Sequence, residues 1–297
     1  MGIINFGSMN VDHVYSMPHF VQPGETLQSS AYNIYAGGKG LNQSIAAARA
    51  GGRVLHAGMI GEGGEMLLRL LEENHVDVSR IGSPGIPQGH ALIQVSESGE
   101  NCIILYPGSN YAVTPAYVDD VLDAQRSPQY VMLQNEISEV PYIIDAAFRR
   151  GFSVVLNASP FDDSLLEIDL SKVAWLLVNE IEGACLTGQS DPEAILSSLY
   201  KKSPETGVVL TLGKEGAVCA KNGERFRQGI FPVETVDTTA AGDTFTGYFV
   251  SALDAGRSIP DALRSAAAAS AIAVTRPGAA PSVPFAQEVE AFLAQRS

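Results

Sequence analysis

The chain has 297 residues, 45% hydrophobic and 18% charged, with 33 acidic against 19 basic side chains and a formal net charge of −14. That length can bury a large core, as one domain or a domain with an appendage, and an acidic balance with no Lys/Arg cluster excludes a phosphate-tracking nucleic-acid surface. No apolar stretch is long enough to span a bilayer, so no membrane partner is expected.

The first ten residues, "MGIINFGSMN", are apolar without a basic flank and read as a first strand, not a signal peptide. Cys102, Cys185 and Cys219 lie far apart with no C-x-x-C pairing, which predicts free buried thiols in a reducing, cytoplasmic compartment. "GSMNVD" ends the first strand with Asn10 and Asp12, which share a face at a period of two. An amide beside a carboxylate suits adjacent hydroxyls; the plain alternative is a turn Asn and a solvated Asp. Two segments, "VDHVYSMPHF…ETLQSSAYNIYA" and "GHALIQVSESGENCIILYPGS", alternate at period two without intervening helices, the second turning at "SESGEN". They predict a small sheet built from about 12–36 and 89–107, a lid over the C-terminal ends of the main strands.

"AGGKGLNQS" opens an Ala-rich helix that Gly51 and Gly52 close. It lacks the third glycine of a dinucleotide fingerprint and fails the P-loop pattern. The functional reading is close backbone approach to a small polar ligand at Gly38, with Lys39 as a cation and Asn42 as a bidentate amide. The plain one is a Gly-rich turn. "VLHAGMIG" reads as a strand and "EMLLRLLEENHV" as a helix with Leu67, Leu68 and Leu71 on one stripe. Four further strands, "YVMLQ", "SVVLNAS", "VAWLLVN" and "GVVLTLG", alternate with helices, which predicts an α/β sandwich around a mostly parallel sheet.

Three strand ends carry polar groups. Glu136 in "LQNE" lies just past a strand, a place for a third polyol contact. Asn179 and Glu182 in "VNEIEG" are helix-face neighbours able to orient phosphate-bound Mg²⁺ through waters, or simply a capping Asn with a first-turn Glu. "TLGKEG" turns on two glycines, allowing backbone and the Thr211 hydroxyl to approach a nucleotide, or forming a plain turn. In "VDTTAAGDTF", the small residues Ala240, Ala241 and Gly242 clear a helix start, whose amides make a slot for a phosphoryl anion. Asp243 beside it would repel that anion but accept a proton from an attacking hydroxyl.

Together, "GSMNVD", "GGKGLNQ", "NEIE", "TLGKEG", "DTTAAGDTF" and "AVTRPGAAPSVP" resemble the ribokinase branch of the PfkB-type carbohydrate kinase superfamily, over essentially the whole chain. The resemblance implies one ribokinase-like three-layer domain over residues 1–297, with ATP and Mg²⁺ and D-ribose as the first-choice acceptor. Fructose, deoxyribose or a nucleoside, and a non-catalytic sugar-binding regulator, are the alternatives. It assigns Asn10, Asp12, Gly38, Lys39, Asn42 and Glu136 to the sugar, Asp243 to the catalytic base, and Ala240–Gly242 to the anion hole. Asn179, Thr211, Gly213, Lys214, Gly216 and Gly242 fall to the nucleotide and Glu182 to Mg²⁺. Asp237, Thr239, Ala273, Arg276, Gly278 and Ser282 fall to a K⁺ loop, with Thr239, Ala273 and Gly278 contributing carbonyls. Three positions depart from the pattern: Ala267 near the expected adenine site, and His90 and Asn135, which are expected to reshape the sugar pocket. Apolar lid positions such as Ile104 and Tyr106 predict a homodimer through the lid.

Overall fold

The computed structural model describes residues 2–125 and 130–296. Its first half contains β1 (Ile3–Phe6), β2 (Asn10–Met17), β3 (Ala31–Gly37), α1 (Lys39–Arg49), β4 (Val54–Ala57), α2 (Glu65–Glu73), β5 (His90–Ser96), β6 (Asn101–Tyr106), α3 (Pro115–Asp123), β7 (Tyr130–Gln134) and α4 (Val140–Arg149). The second holds β8 (Ser153–Asn157), β9 (Trp175–Asn179), α5 (Glu180–Thr187), α6 (Pro192–Lys202), β10 (Gly207–Thr211), β11 (Ala217–Lys221), β12 (Glu224–Gln228), α7 (Ala241–Asp254), α8 (Ile259–Ala273) and α9 (Ala286–Ala294).

Eight strands form the main sheet in the order β12-β11-β10-β9-β8-β7-β1-β4, parallel from β10 through β4. Its parallel strands are apolar on both faces, as covering by two helix layers requires. Val154, Leu156, Leu176 and Val178 join the core beneath α3, α4, α5 and α6, while Val155 and Leu177 join the one beneath α1, α7 and α8. The antiparallel β11–β12 hairpin turns on Asn222 and Gly223, both at positive φ. The Asn-Gly pair that drives this turn is a strong hairpin signal, and the reading above passed over it.

Four strands, β3-β2-β5-β6, make the second sheet, drawn from two distant pieces of chain as expected. One boundary is corrected. Asn10 and Asp12 do not end the first strand; β1 stops at Phe6, and both residues start β2 of the small sheet. The direction of chain travel reverses at β1: β4 lies on one side, β7 and its successors on the other. A crevice at the C-terminal ends of strands forms at such a switch point, here where Gly7 and Ser8 leave β1 and Asn135 and Glu136 leave β7. No helix among the described residues is long and apolar enough to cross a membrane.

Candidate active site

Two helices begin at this crevice, and their starts are used differently. At α1, Gly38 holds φ 97°, a left-handed conformation suited to glycine, and a Cβ there would come within 3.0 Å of the Asn10 amide nitrogen. The chain's own groups cap this helix from outside. The Glu136 carboxylate accepts the Lys39 N–H at 3.0 Å and the Ser8 hydroxyl at 2.5 Å, while Ser8 Oγ accepts the Gly40 N–H. Glu136 therefore sits on the positive end of the α1 dipole, across the switch point from Ser8.

The start of α7 carries no such cap. Ala240 precedes it at φ 57° and offers no side-chain hydrogen bond. The Ala241 N–H turns back onto the Thr238 carbonyl at 3.2 Å, whereas those of Gly242 and Asp243 meet no partner among the described residues. The expected anion hole thus has its free donors at Gly242 and Asp243, with Ala240 and Ala241 supplying clearance. A Cβ on Gly242 would meet nothing within 4 Å. Internal packing does not call for that glycine, although it costs about 0.5–1 kcal/mol relative to Ala in a helix; the space it leaves is open to a ligand.

Asp243 stands in the first turn of α7, only 7% exposed. Asn42 Nδ2 donates to its Oδ2 at 3.0 Å and Gln43 Nε2 to its Oδ1 at 2.9 Å. A cavity of about 240 Å³ joins it and Lys39 to Asn179, Glu182 and Thr211 across the strand ends. A larger cavity, about 430 Å³, lies between α7, α8 and α9 and contains none of the motif residues.

Electrostatics follow from this crowding. Burial drives the Lys39 ammonium down, but the carboxylates of Asp243, Glu136 and Glu182 outweigh it and hold its pKa above the ordinary value. Burial raises Glu136, against the pull of Lys39 and Ser8. On the lid, burial and then the Glu136 charge push Asp12 up to about 6. Asn10, also buried, is oriented by Asn110, which the sequence reading did not single out. Asn110 Oδ1 accepts the Met9 N–H, so its Nδ2 must donate to Asn10 Oδ1, at 2.8 Å. That leaves Asn10 with its Nδ2 donor for a ligand oxygen.

At the far end of the cavity, Asn179 and Glu182 realise the plain capping reading. The two form a reciprocal capping box on α5, Asn179 Oδ1 taking the Glu182 N–H and Glu182 Oε2 the Asn179 N–H, each at 2.9 Å, while both line the cavity. Gly213 and Gly216 turn at positive φ beyond β10, and a Cβ on Gly216 would sit 2.1 Å from the Gln228 carbonyl. Lys214 between them is exposed. No three His, Cys, Asp or Glu among the described residues cluster as a metal cage. The residues present fit a magnesium ion carried by phosphates, which Glu182 and Asn179 would hold through water.

In the expected K⁺ loop, Asp237 acts as a clamp, accepting Thr239 N–H and hydroxyl at 2.9 and 2.6 Å and the Gly278 N–H at 2.8 Å. Partial burial would raise its pKa; these donors outweigh that and lower it. The Arg276 side chain turns away to Glu288 at 2.5 Å, and a guanidinium has no acceptor atom, so Arg276 has only its carbonyl to offer a cation. Ala273 O already accepts the Arg276 N–H, and Ser282 Oγ donates to Ala279 O.

Three expectations are corrected. His90 does not enter the sugar pocket. In register, Asp12 pairs with Ala91 and Val11 with His90, so His90 lies on the opposite face of the lid, with rings of His13 and Tyr106 at 5.8 and 5.0 Å. Asn135 ties down the next loop through Pro160 O and Asp162. Of the cysteines expected to be buried, only Cys219 is; Cys102 and Cys185 are exposed and all three are free. Ala267 packs against the core of the α1–α7–α8 face, half-buried.

By chemistry alone the site defines a small-molecule kinase. Open amides for a phosphoryl group lie beside a carboxylate, and hydroxyl-matched side chains come from a separate sheet. The chain matches the pfkB family of carbohydrate kinases over residues 2–286. It is 38% identical over 299 residues to the ribokinase of Haemophilus influenzae, covering 97% of this chain and 96% of that one. It superposes on the ribokinase of Thermotoga maritima with a TM-score of 0.89 at 31% identity, over 99% of each chain. Arabidopsis thaliana ribokinase, complexed with ribose and ATP, gives a TM-score of 0.86 at 29% identity over 98% of each chain. The chain belongs to the pfkB carbohydrate kinase family.

Proposed function

We infer that the chain is an ATP-dependent kinase that phosphorylates the primary hydroxyl O5 of D-ribose. The observation that carries this reading is the pairing at the start of α7: uncapped N–H groups of Gly242 and Asp243, with the buried Asp243 carboxylate held in place by α1. Ribose would lie under the lid, its hydroxyls on Asn10, Asp12, Asn42 and Glu136. Asp243 takes the O5 proton as O5 bonds to the γ-phosphorus, the β–γ bridging bond breaks, and ADP leaves. The α7 amides and Lys39 stabilise charge on the transferring group. Mg²⁺, when bound with ATP, neutralises phosphate charge. K⁺ would sit on the carbonyls of the loop that Asp237 clamps, and order it. The free, unpaired cysteines support a reducing, cytoplasmic setting.

An ADP-release assay over ribose, deoxyribose, fructose and nucleosides tests the acceptor, with ribose expected to give the highest kcat/KM. Asp243→Asn is expected to lose at least about 10²–10⁴-fold in kcat, the usual worth of general-base assistance, with ribose binding by calorimetry retained. Near-normal turnover in that variant would refute the base assignment.

A further inference from the structure

A group that the family motif reading left out reaches Asp243 from the protein interior. Gln43 is fully buried on α1, on the side facing α7. Its Nε2 donates to Asp243 Oδ1 at 2.9 Å, and its Oε1 accepts from Gln134 Nε2 at 2.8 Å. Gln134, the last residue of β7, also donates to Asn5 Oδ1 at 2.9 Å, and Asn5 Nδ2 donates to Gly40 O at 2.7 Å and to Ser44 Oγ at 2.8 Å.

The direction of every bond in this chain is fixed at both ends. An ionised carboxylate only accepts, so Gln43 must present its amide nitrogen to Asp243 and its oxygen to Gln134. A backbone carbonyl only accepts, so Asn5 must present its nitrogen to Gly40 and its oxygen to Gln134. Gln134 Nε2, between two oxygens, serves both. Three amides buried in the interior of an α/β sandwich cost desolvation that apolar residues of similar shape would avoid. Packing alone does not require them, and they converge on one carboxylate oxygen.

We propose that Gln43 is a positioning residue for the base, anchored by Gln134 and Asn5. It holds Oδ1 on the core side so that Oδ2, beside Asn42, is the oxygen that takes the hydroxyl proton. This rests on Asp243 being the base. Gln43 Nε2 and Asn42 Nδ2 are the two side-chain donors to that carboxylate. The charged groups around Asp243 are Lys39 and Glu136, with Glu182 beyond Lys39.

The test measures kcat and ribose KM from pH 5 to 9, with melting curves, for Gln43→Met, Gln43→Glu, Gln134→Leu and Asp243→Asn. Gln43→Met is expected to move the acid limb of the kcat profile up by about one pH unit and to lower the plateau about tenfold. Its KM should stay within about threefold of the parent, because no sugar contact is removed. Gln43→Glu, placing a second carboxylate against Asp243, should move the limb further up, and Gln134→Leu should move it less. A folded Gln43→Met whose acid limb is unshifted overturns the proposal, as does a rise in KM with kcat unchanged. If that variant does not fold, unshifted limbs in the other two glutamine variants overturn it equally. Retained turnover in Asp243→Asn would instead sink the base reading itself.

Discussion

Asp12 shows how one residue can be tuned by its surroundings. In the proposed complex its ionised form would accept two hydrogen bonds from adjacent hydroxyls, yet burial and Glu136 place its pKa at about 6 in the unliganded protein. Ribose KM is therefore expected to rise about tenfold per pH unit below 6 and to flatten above it; Asp12→Asn should bind weakly with no such inflection. The same shift has a stability consequence of definite sign. A folded-state pKa raised from 3.8 to about 6 favours the protonated form, so its contribution is present below pH 4 and lost as pH rises through 6. Asp12→Asn should raise Tm at pH 7.5, by on the order of 1 kcal/mol of stability after solvent screening, and leave it unchanged at pH 4. Gly37, paired with Asn10, is part of this setting: a Cβ there would lie 2.1 Å from Asp12 Oδ2.

Between elements, the contact of α1 with α7 determines whether Asp243 is held. Gly247, one turn beyond Asp243, lets the helices approach, for a Cβ there would meet Ala46 Cβ at 2.5 Å and the Ala47 nitrogen at 2.7 Å. Gly247→Ala is expected to cost about 1–3 kcal/mol by overpacking and, by spreading the helices, to lower kcat more than ribose affinity. Denaturant unfolding and steady-state kinetics check both. The loop leading into α7 offers a second lever, since Val236 and Asp237 donate to Val274 O and Gly278 donates to Asp237. Replacing K⁺ by Na⁺ or Tris should reduce turnover, and Asp237→Ala should lose most of its activity in K⁺ as well. A rate indifferent to K⁺ counts against the cation loop.

For the molecule as a whole, the lid is the unusual surface. All six residues of β6 are exposed, Ile103 and Ile104 at 54% and 60%, and Tyr32, Ile34 and Tyr35 of β3 are exposed too. Exposed apolar patches of this kind favour association. A dimer through the lids is the expected assembly, and light scattering at assay concentration checks it. Ile104→Lys should yield monomers with raised ribose KM; a monomeric parent protein would dispose of the idea.

The sequence by itself determined the elements with strong local chemistry. Doubly apolar strands announced the parallel sheet, period-two runs the small second sheet, and small residues the uncapped start of α7, since each follows from side-chain period or from which groups a helix end leaves unpaired. It could not say that Asn10 and Asp12 belong to the second sheet, because β1 and β2 are separated by only three residues. Nor could it place His90 on the face opposite Asp12 or tie Asn135 to the loop around Pro160, which depended on strand register and on where that loop lies. The tertiary structure alone decided which helix start stays open. Glu136 closes that of α1 from across the switch point, and Gln43 and Asn42 reach Asp243 from 200 and 201 residues away in the chain. Hydrogen-bond partners so distant in sequence are set by packing, and local pattern carries no trace of them.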